Sequence, residues 1–241
     1  MSKNSWSSHP HSGIRSDRPG SASAVPAFYY SLERTELLAL VPRGTHRLLD
    51  VGCGAGAFGV AIKASLHAVV WGIEINPQAA SIANIKLDRV IVGDAVYALR
   101  QLEGERFDTV CFNDILEHLV DPAAALSAAA RLLKSEGCVV LSVPNLRFYR
   151  VLKQILVEHD FRYEAWGVMD STHLRFFTEK SMRRLLSETG FAVDVLSGIN
   201  HRQPPGTIGH LASLLSRTLC RPWIGDIWFQ QFACRARLCS S

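Results

Sequence analysis

At 241 residues, 48% hydrophobic and 20% charged, the chain can bury one sizeable core. It is too charged for a bundle of membrane helices and too apolar for a disordered polymer. The formal net charge is +4, and the Lys and Arg residues are scattered rather than massed, which argues against a nucleic-acid partner.

Residues 1–27 are rich in Ser, Gly, Pro and His without periodicity, the composition of a disordered tail. His9 and His11 within it are read as solvated rather than as metal ligands. Residues 28–241 are expected to form one domain. A helix over 31–41 leads to a strand at Arg47–Val51, followed by a helix over 57–66 and a strand at 68–74. Pro77 marks the first turn of the next helix, where its missing N–H costs nothing. A strand at Arg89–Val92, a helix from Ala95 to Leu102 and a strand over 107–112 follow. Asp121 and Pro122 open an Ala-rich helix running to Lys134 as N-cap and first residue, and a strand covers 138–143. Residues 144–177 carry aromatics and mixed charge without clear periodicity. Thr178 is the candidate cap of a helix ended by Gly190, and strands are expected over 191–196 and 227–238. Between them, 207–219 align Ile208, Leu211, Leu214, Leu215 and Leu219 on one helical face, read as packing against the domain. Strands alternating with helices, each strand an almost continuous apolar run, predict a mostly parallel sheet covered on both faces.

No run approaches the roughly 18 apolar residues of a membrane-spanning helix. None of the six cysteines forms a C-x-x-C pair, Cys111 and Cys138 lie in apolar strands, and the N-terminus lacks the apolar core of a signal peptide. Reduced thiols and a cytoplasmic location are therefore expected.

The chemistry gathers at strand ends. Leu48-Leu49-Asp50-Val51-Gly52-Cys53-Gly54-Ala55-Gly56 runs from a strand into a glycine-rich turn that opens a helix. Glycines there allow positive φ and close approach of a ligand to the backbone. Gly52, Gly54 and Ala57 also satisfy the dinucleotide fingerprint, so the loop alone does not separate a nicotinamide enzyme from one using a nucleoside cofactor. Glu74 ends the second strand, where a carboxylate can accept from both ribose hydroxyls. Asp94 and Ala95 follow the third strand, where an acid can accept from an adenine amine. Asn113-Asp114-Ile115-Leu116-Glu117-His118 follows the fourth. Open α/β sheets bind ligands at these carboxyl ends.

On LLDVGCGAGAFG, GIEINPQAA, VIVGDA, FDTVCFNDILEHLVDP and LLKSEGCVVLSVPN, the chain resembles the class I S-adenosylmethionine-dependent methyltransferases. Within them it is similar to the small-molecule branch that includes the ubiquinone-biosynthesis O-methyltransferases. The resemblance covers 29–198. It implies a doubly wound, Rossmann-like sheet of seven strands with the last antiparallel, and S-adenosyl-L-methionine as cofactor. It further implies that Asp50 orients the Gly-rich loop and the methionyl amino group, and that Gly52, Gly54 and Gly56 pass beneath the cofactor. Glu74 would bind the ribose, Asp94 and the Ala95 backbone the adenine, and Asn113 would line the methionyl side. The connection over 197–226 is longer than the family's; with 144–177 it is read as an acceptor-side or covering segment.

Asp170–Thr178 is similar to a segment of bacterial methyltransferases linked to glycan or natural-product pathways, which would place His173 over the cleft. His118 and His173 are the candidate bases for a hydroxyl acceptor. A set like Asp114, Glu117 and His118 with a distant His173 holds a divalent metal in small-RNA 2′-O-methyltransferases. Here the first ligand is the shorter Asp, and packing of Glu117 and His118 near the cofactor is the preferred reading. The expectation is O-methylation of a small-molecule, glycan or lipid-linked acceptor. A nicotinamide-dependent oxidoreductase and a non-catalytic cofactor-binding module stay open as alternatives.

Overall fold

A computed structural model of the chain describes residues 34–202 and 225–239. The expected tail at 1–27 and helix at 207–219 lie outside the described residues. Seven strands form one sheet: β1 (Arg47–Val51), β2 (Val69–Glu74), β3 (Arg89–Val92), β4 (Phe107–Asn113), β5 (Leu133–Pro144), β6 (Phe191–His201) and β7 (Phe229–Leu238). Their order is β3-β2-β1-β4-β5-β7-β6. The five strands from β3 to β5 pair in parallel, while β7 is antiparallel to both of its neighbours. The expected topology is present.

Strand side chains alternate between two buried clusters, as a period of two requires. Leu48, Val70, Cys111 and Val140 point to one cluster. Leu49, Ile73, Val110, Phe112 and Leu141 point to the other. Helices α1 (Thr35–Leu38), α2 (Ala57–Leu66) and α3 (Pro77–Asn84) cover the first face through Leu37, Phe58, Ile62 and Ala83. Helices α4 (Ala95–Gln101), α5 (Pro122–Leu132) and α7 (Glu179–Glu188) cover the second through Leu99, Leu126, Met182 and Leu186. Fully burying one such aliphatic or aromatic side chain contributes about 1.5–3 kcal/mol. This double wrapping explains why the strands read as unbroken apolar runs.

Local chemistry sets the helix starts. Asn76 accepts from the amides of Gln78 and Ala79 ahead of Pro77. Asp121 accepts from Ala124 ahead of Pro122. Thr178 and Ser181 form a reciprocal capping box, a device that satisfies two of a helix's unpaired amides.

Four elements depart from expectation. Helix α1 ends at Leu38, three residues short of the expected end at 41. Within 144–177 there is a helix, α6 (Tyr149–Leu156), which packs into a small separate cluster of Phe148, Val151, Val168 and Met169. Val151, Leu152, Ile155 and Leu156 stand at helical spacing there, but over two turns only. Helix α5 stops at Leu132, and Leu133 already pairs with Phe107 before an irregularity restores register at Thr109 and Cys138. Strand β6 continues five residues past the expected end, to His201. Among the described residues, no helix is long and apolar enough to cross a membrane.

Candidate active site

The parallel strands end together, so the residues that follow β1, β2, β3 and β4 share one edge of the sheet. After β1 the chain turns through Gly52, Gly54 and Gly56 at φ of 77°, 54° and 80°, values that a Cβ disfavours. The amides of Gly52 and Cys53 both donate to the Ile73 carbonyl, at 2.8 and 3.0 Å, tying the loop to β2. Gly56 precedes α2 with no side-chain cap, which leaves first-turn amides of that helix for another acceptor.

Glu74 closes the loop from the other side. Its Oε2 accepts from the Gly54 amide at 2.8 Å and its Oε1 from the Asn76 amide at 2.8 Å. Each oxygen thus receives one amide and keeps lone-pair capacity for one more donor. Asp50 is buried, and its Oδ1 has no hydrogen-bond partner. Burial, and then the nearby Glu74 carboxylate, push its carboxyl up to about 7, against the opposing pull of Arg34. Asp94 is exposed and caps α4 through the Tyr97 amide at 3.0 Å; Ala95, the first residue of that helix, is buried.

At the end of β4, neither Oδ1 nor Nδ2 of Asn113 has a partner although both are buried. A buried amide left this way costs free energy, so it marks a place where a ligand belongs. Asp114 adopts φ 50°. Its carboxylate accepts from Ser142 Oγ at 2.5 Å and Gln231 Nε2 at 2.8 Å, and it forms an ion pair with Arg34.

Glu117 lies in the short 3-10 turn Leu116–His118 and is buried with Oε2 unpartnered. Burial, and next the charge of Asp114, hold its carboxyl well above the ordinary range. Its main-chain carbonyl accepts from the amides of Leu174 and Arg175, at 2.8 and 3.0 Å, and this docks the 170s segment onto the turn. The docking brings His173 against His118, with ring centroids 4.8 Å apart. Nδ1 of His118 lies 3.3 Å from the Thr172 carbonyl, and Nδ1 of His173 lies 3.1 Å from that of Val168. A carbonyl only accepts, and Thr172 Oγ1, 3.2 Å from His118 Nδ1, already donates to Asp170, so these partners assign the proton of each neutral ring to Nδ1 and the lone pair to Nε2. Burial and the neighbouring His173 lower the His118 imidazole below its usual value. One ligand atom from each of Glu117, His118 and His173 lies within 4.8 Å of the others. Asp114, the remaining member of the sequence-expected set, is engaged by Ser142, Gln231 and Arg34 instead.

The structure therefore gathers Asp50, the three glycines, Glu74 and Asn113 around one turn, and His118 and His173 into one pair. Sequence reasoning missed Arg34, Ser142, Gln231 and Lys86, whose Nζ donates to the Ala55 carbonyl of the loop at 2.9 Å. None of these stands in a recognisable spacing; only the closeness of the strand ends reveals them.

Comparison with known proteins bears on the family and the fold. The family described as methyltransferase domain matches residues 26–196. The ubiquinone biosynthesis O-methyltransferase of Thiobacillus denitrificans is 30% identical over 168 residues, covering 66% of this chain and 70% of that protein. Its counterpart in Neisseria meningitidis serogroup A is 28% identical, over 64% of this chain and 67% of that one. Among solved structures, a SAM-dependent methyltransferase from Archaeoglobus fulgidus has a TM-score of 0.61 at 21% identity, covering 84% of this chain and 91% of that one. An S-adenosylmethionine-dependent methyltransferase from Mesorhizobium loti has a TM-score of 0.55 at 18% identity, over 85% and 97%. At these identities the two structures share the fold.

Proposed function

Because this chain belongs to the methyltransferase-domain family and is an S-adenosylmethionine-dependent methyltransferase, we propose that it moves the cofactor's methyl group to an oxygen of a small-molecule, glycan or lipid-linked acceptor. The observation that carries this reading is the set of unpartnered, buried polar atoms on Asp50 and Asn113 beside the glycine turn. The surrounding charge suits the same ligand. Asp50, Glu74, Asp114 and Glu117 are buried carboxyls, and Arg34 brings a cation among them. A ligand with an ammonium, a sulfonium and one carboxylate matches that balance; a dinucleotide pyrophosphate does not.

In this reading Asp50 receives the methionyl ammonium, Glu74 the ribose hydroxyls, Asp94 and the Ala95 amide the adenine, and Asn113 the methionyl side. The glycines let the backbone run beneath the nucleoside. The sulfonium carries the hard chemistry, since the methyl carbon is already activated for in-line displacement. The protein's part is to hold the acceptor oxygen within about 3–3.5 Å of that carbon and keep water out. The acceptor proton passes to Nε2 of His118 or His173, the lone pairs left by the two Nδ1–H···O=C bonds. The names of the relatives, O-methyltransferases of ubiquinone biosynthesis, support oxygen as the accepting atom. Incubation with methyl-labelled cofactor and a panel of hydroxyl, amine and carbon acceptors tests this. Label on hydroxyl acceptors is expected, and transfer confined to nitrogen or carbon overturns the oxygen assignment.

A second use of the histidine pair is favoured by the closeness of Glu117, His118 and His173. Nδ1–H bound to a carbonyl with Nε2 free is how metal-ligating histidines are commonly held. Two imidazoles and a carboxylate suit Zn²⁺ or Mn²⁺, which would supply Lewis acidity toward an acceptor oxygen. Chain purified without chelator and equilibrated with Zn²⁺ or Mn²⁺ should then retain about one equivalent, falling several-fold in His173→Ala. Equal retention by the parent and His173→Ala returns the pair to the role of base.

A further inference from the structure

A non-glycine residue pays at least ~1 kcal/mol for the left-handed region and stays there only when its surroundings hold it. Asp114, at φ 50°, is held from three separate parts of the chain. Ser142 reaches it from β5, Gln231 from β7 and Arg34 from the residue before α1. The contact with β7 extends further. Nδ2 of Asn200, on β6 and itself at φ 54°, donates to Oε1 of Gln231 at 2.5 Å.

What Asp114 positions lies on either side of it. Asn113 presents its unpartnered amide. Ile115 lies against the glycine turn so closely that a Cβ added at Gly52 would stand 3.0 Å from its Cδ1. Setting the angle of this turn therefore sets both the amide and the wall of the turn beneath the cofactor.

We propose that Gln231 is a positioning residue for cofactor binding: the relay Asn200–Gln231–Asp114 sets the 113–118 turn from the antiparallel strand pair at the far edge of the sheet. This rests on the cofactor reading given above. The orientation of the Gln231 amide follows from its partners, because a carboxylate only accepts. Nε2 must face Asp114, which leaves Oε1 for Asn200. That polarity allows a substitution that separates positioning from a merely structural role. Gln231→Glu keeps size, shape and the acceptor for Asn200, so the link between β6 and β7 survives. Toward Asp114 it replaces a donor with a second carboxylate.

The test compares the parent, Gln231→Glu and Cys234→Ala at pH 8. Cys234 is buried on the same strand, opposite Leu141 and Leu196, so Cys234→Ala disturbs the packing of β7 without touching Asp114. Gln231→Glu is expected to bind S-adenosylhomocysteine about 10-fold more weakly by calorimetry. In ligand-free protein it should also speed amide hydrogen exchange at Asp114 and His118, whose N–H groups hydrogen-bond within this turn and to Ser142. Cys234→Ala should leave both readings within about twofold of the parent. Affinity and exchange unchanged in Gln231→Glu, or the same losses in Cys234→Ala, overturn the relay. A parent that ignores S-adenosylhomocysteine while Gln231→Glu still loosens the turn overturns the cofactor reading and leaves the relay standing.

Discussion

Asp50→Asn is expected to make the ligand-free protein more stable at pH 8 while weakening S-adenosylhomocysteine on the order of 100-fold. The two effects have one cause. Asp50 is buried with an unpartnered oxygen and its carboxyl is raised to about 7. A group whose folded pKa is raised stabilises the fold below its unfolded value, and that contribution is lost as pH rises through the folded value. Relative to the unfolded chain, Asp50 thus becomes a growing burden between about pH 4 and pH 7, and a constant one above. A rise of about three pKa units corresponds to about 4 kcal/mol. Asparagine removes the charge but still buries a polar group with too few partners, so about 2 kcal/mol of that should be recovered. Denaturant midpoints across pH 4–8 should show the variant below the parent by about 2 kcal/mol near pH 4, the two curves crossing near the middle of the range, and the variant above by about 2 kcal/mol from about pH 7. Calorimetry supplies the other half. An ammonium seated against Asp50 favours its ionised form, so the parent should release a proton on binding below pH 7, and the variant should not. A variant no more stable than the parent at pH 8 would show that the carboxyl is already satisfied without ligand.

The same residue shows how much of the site is legible in the sequence. Asp50, Glu74 and Asn113 stand in the last two residues of strands, and Asp94 just after one, whose apolar runs are long enough to recognise, and each therefore announces its place on the sheet edge. The alternation between the two clusters, with Leu48 facing one and Leu49 the other, is implicit in those runs. Asp114 is visible as a residue but not as a junction. Its partners Arg34, Ser142 and Gln231 come from positions 34, 142 and 231, and nothing local in the chain records that they meet. The return of β7 between β5 and β6 is what brings Gln231 there. Helix α6 shows helical spacing at Val151, Leu152, Ile155 and Leu156 over two turns only, and Val151 packs in a separate cluster with Phe148, Val168 and Met169. Short elements that answer to tertiary packing leave little trace in spacing.

Arg34→Met should be the most damaging substitution among the polar residues of the site, with an expected loss of about 3–5 kcal/mol near pH 8. The Arg34 side chain is 17% exposed and that of Asp114 7%, so water can do little to replace the lost cation. Ser142 and Gln231 still donate to Asp114, but neither carries charge. Arg34 also opposes the upward push on Asp50. Without it the Asp50 carboxyl should rise further, and the fold should lose additional stability as pH increases through that higher value. The loss measured by denaturation is therefore expected to be smaller at pH 5 than at pH 8. Asp114→Asn provides the check on cause. Asparagine tolerates the left-handed turn and keeps an oxygen for Ser142, while removing the charge that Arg34 balances. If the buried pair accounts for the damage, the double variant should be more stable than the sum of the two single losses by about 1–3 kcal/mol. Strict additivity would locate the role of Arg34 in packing around α1 and away from the carboxylate at the head of the cofactor turn.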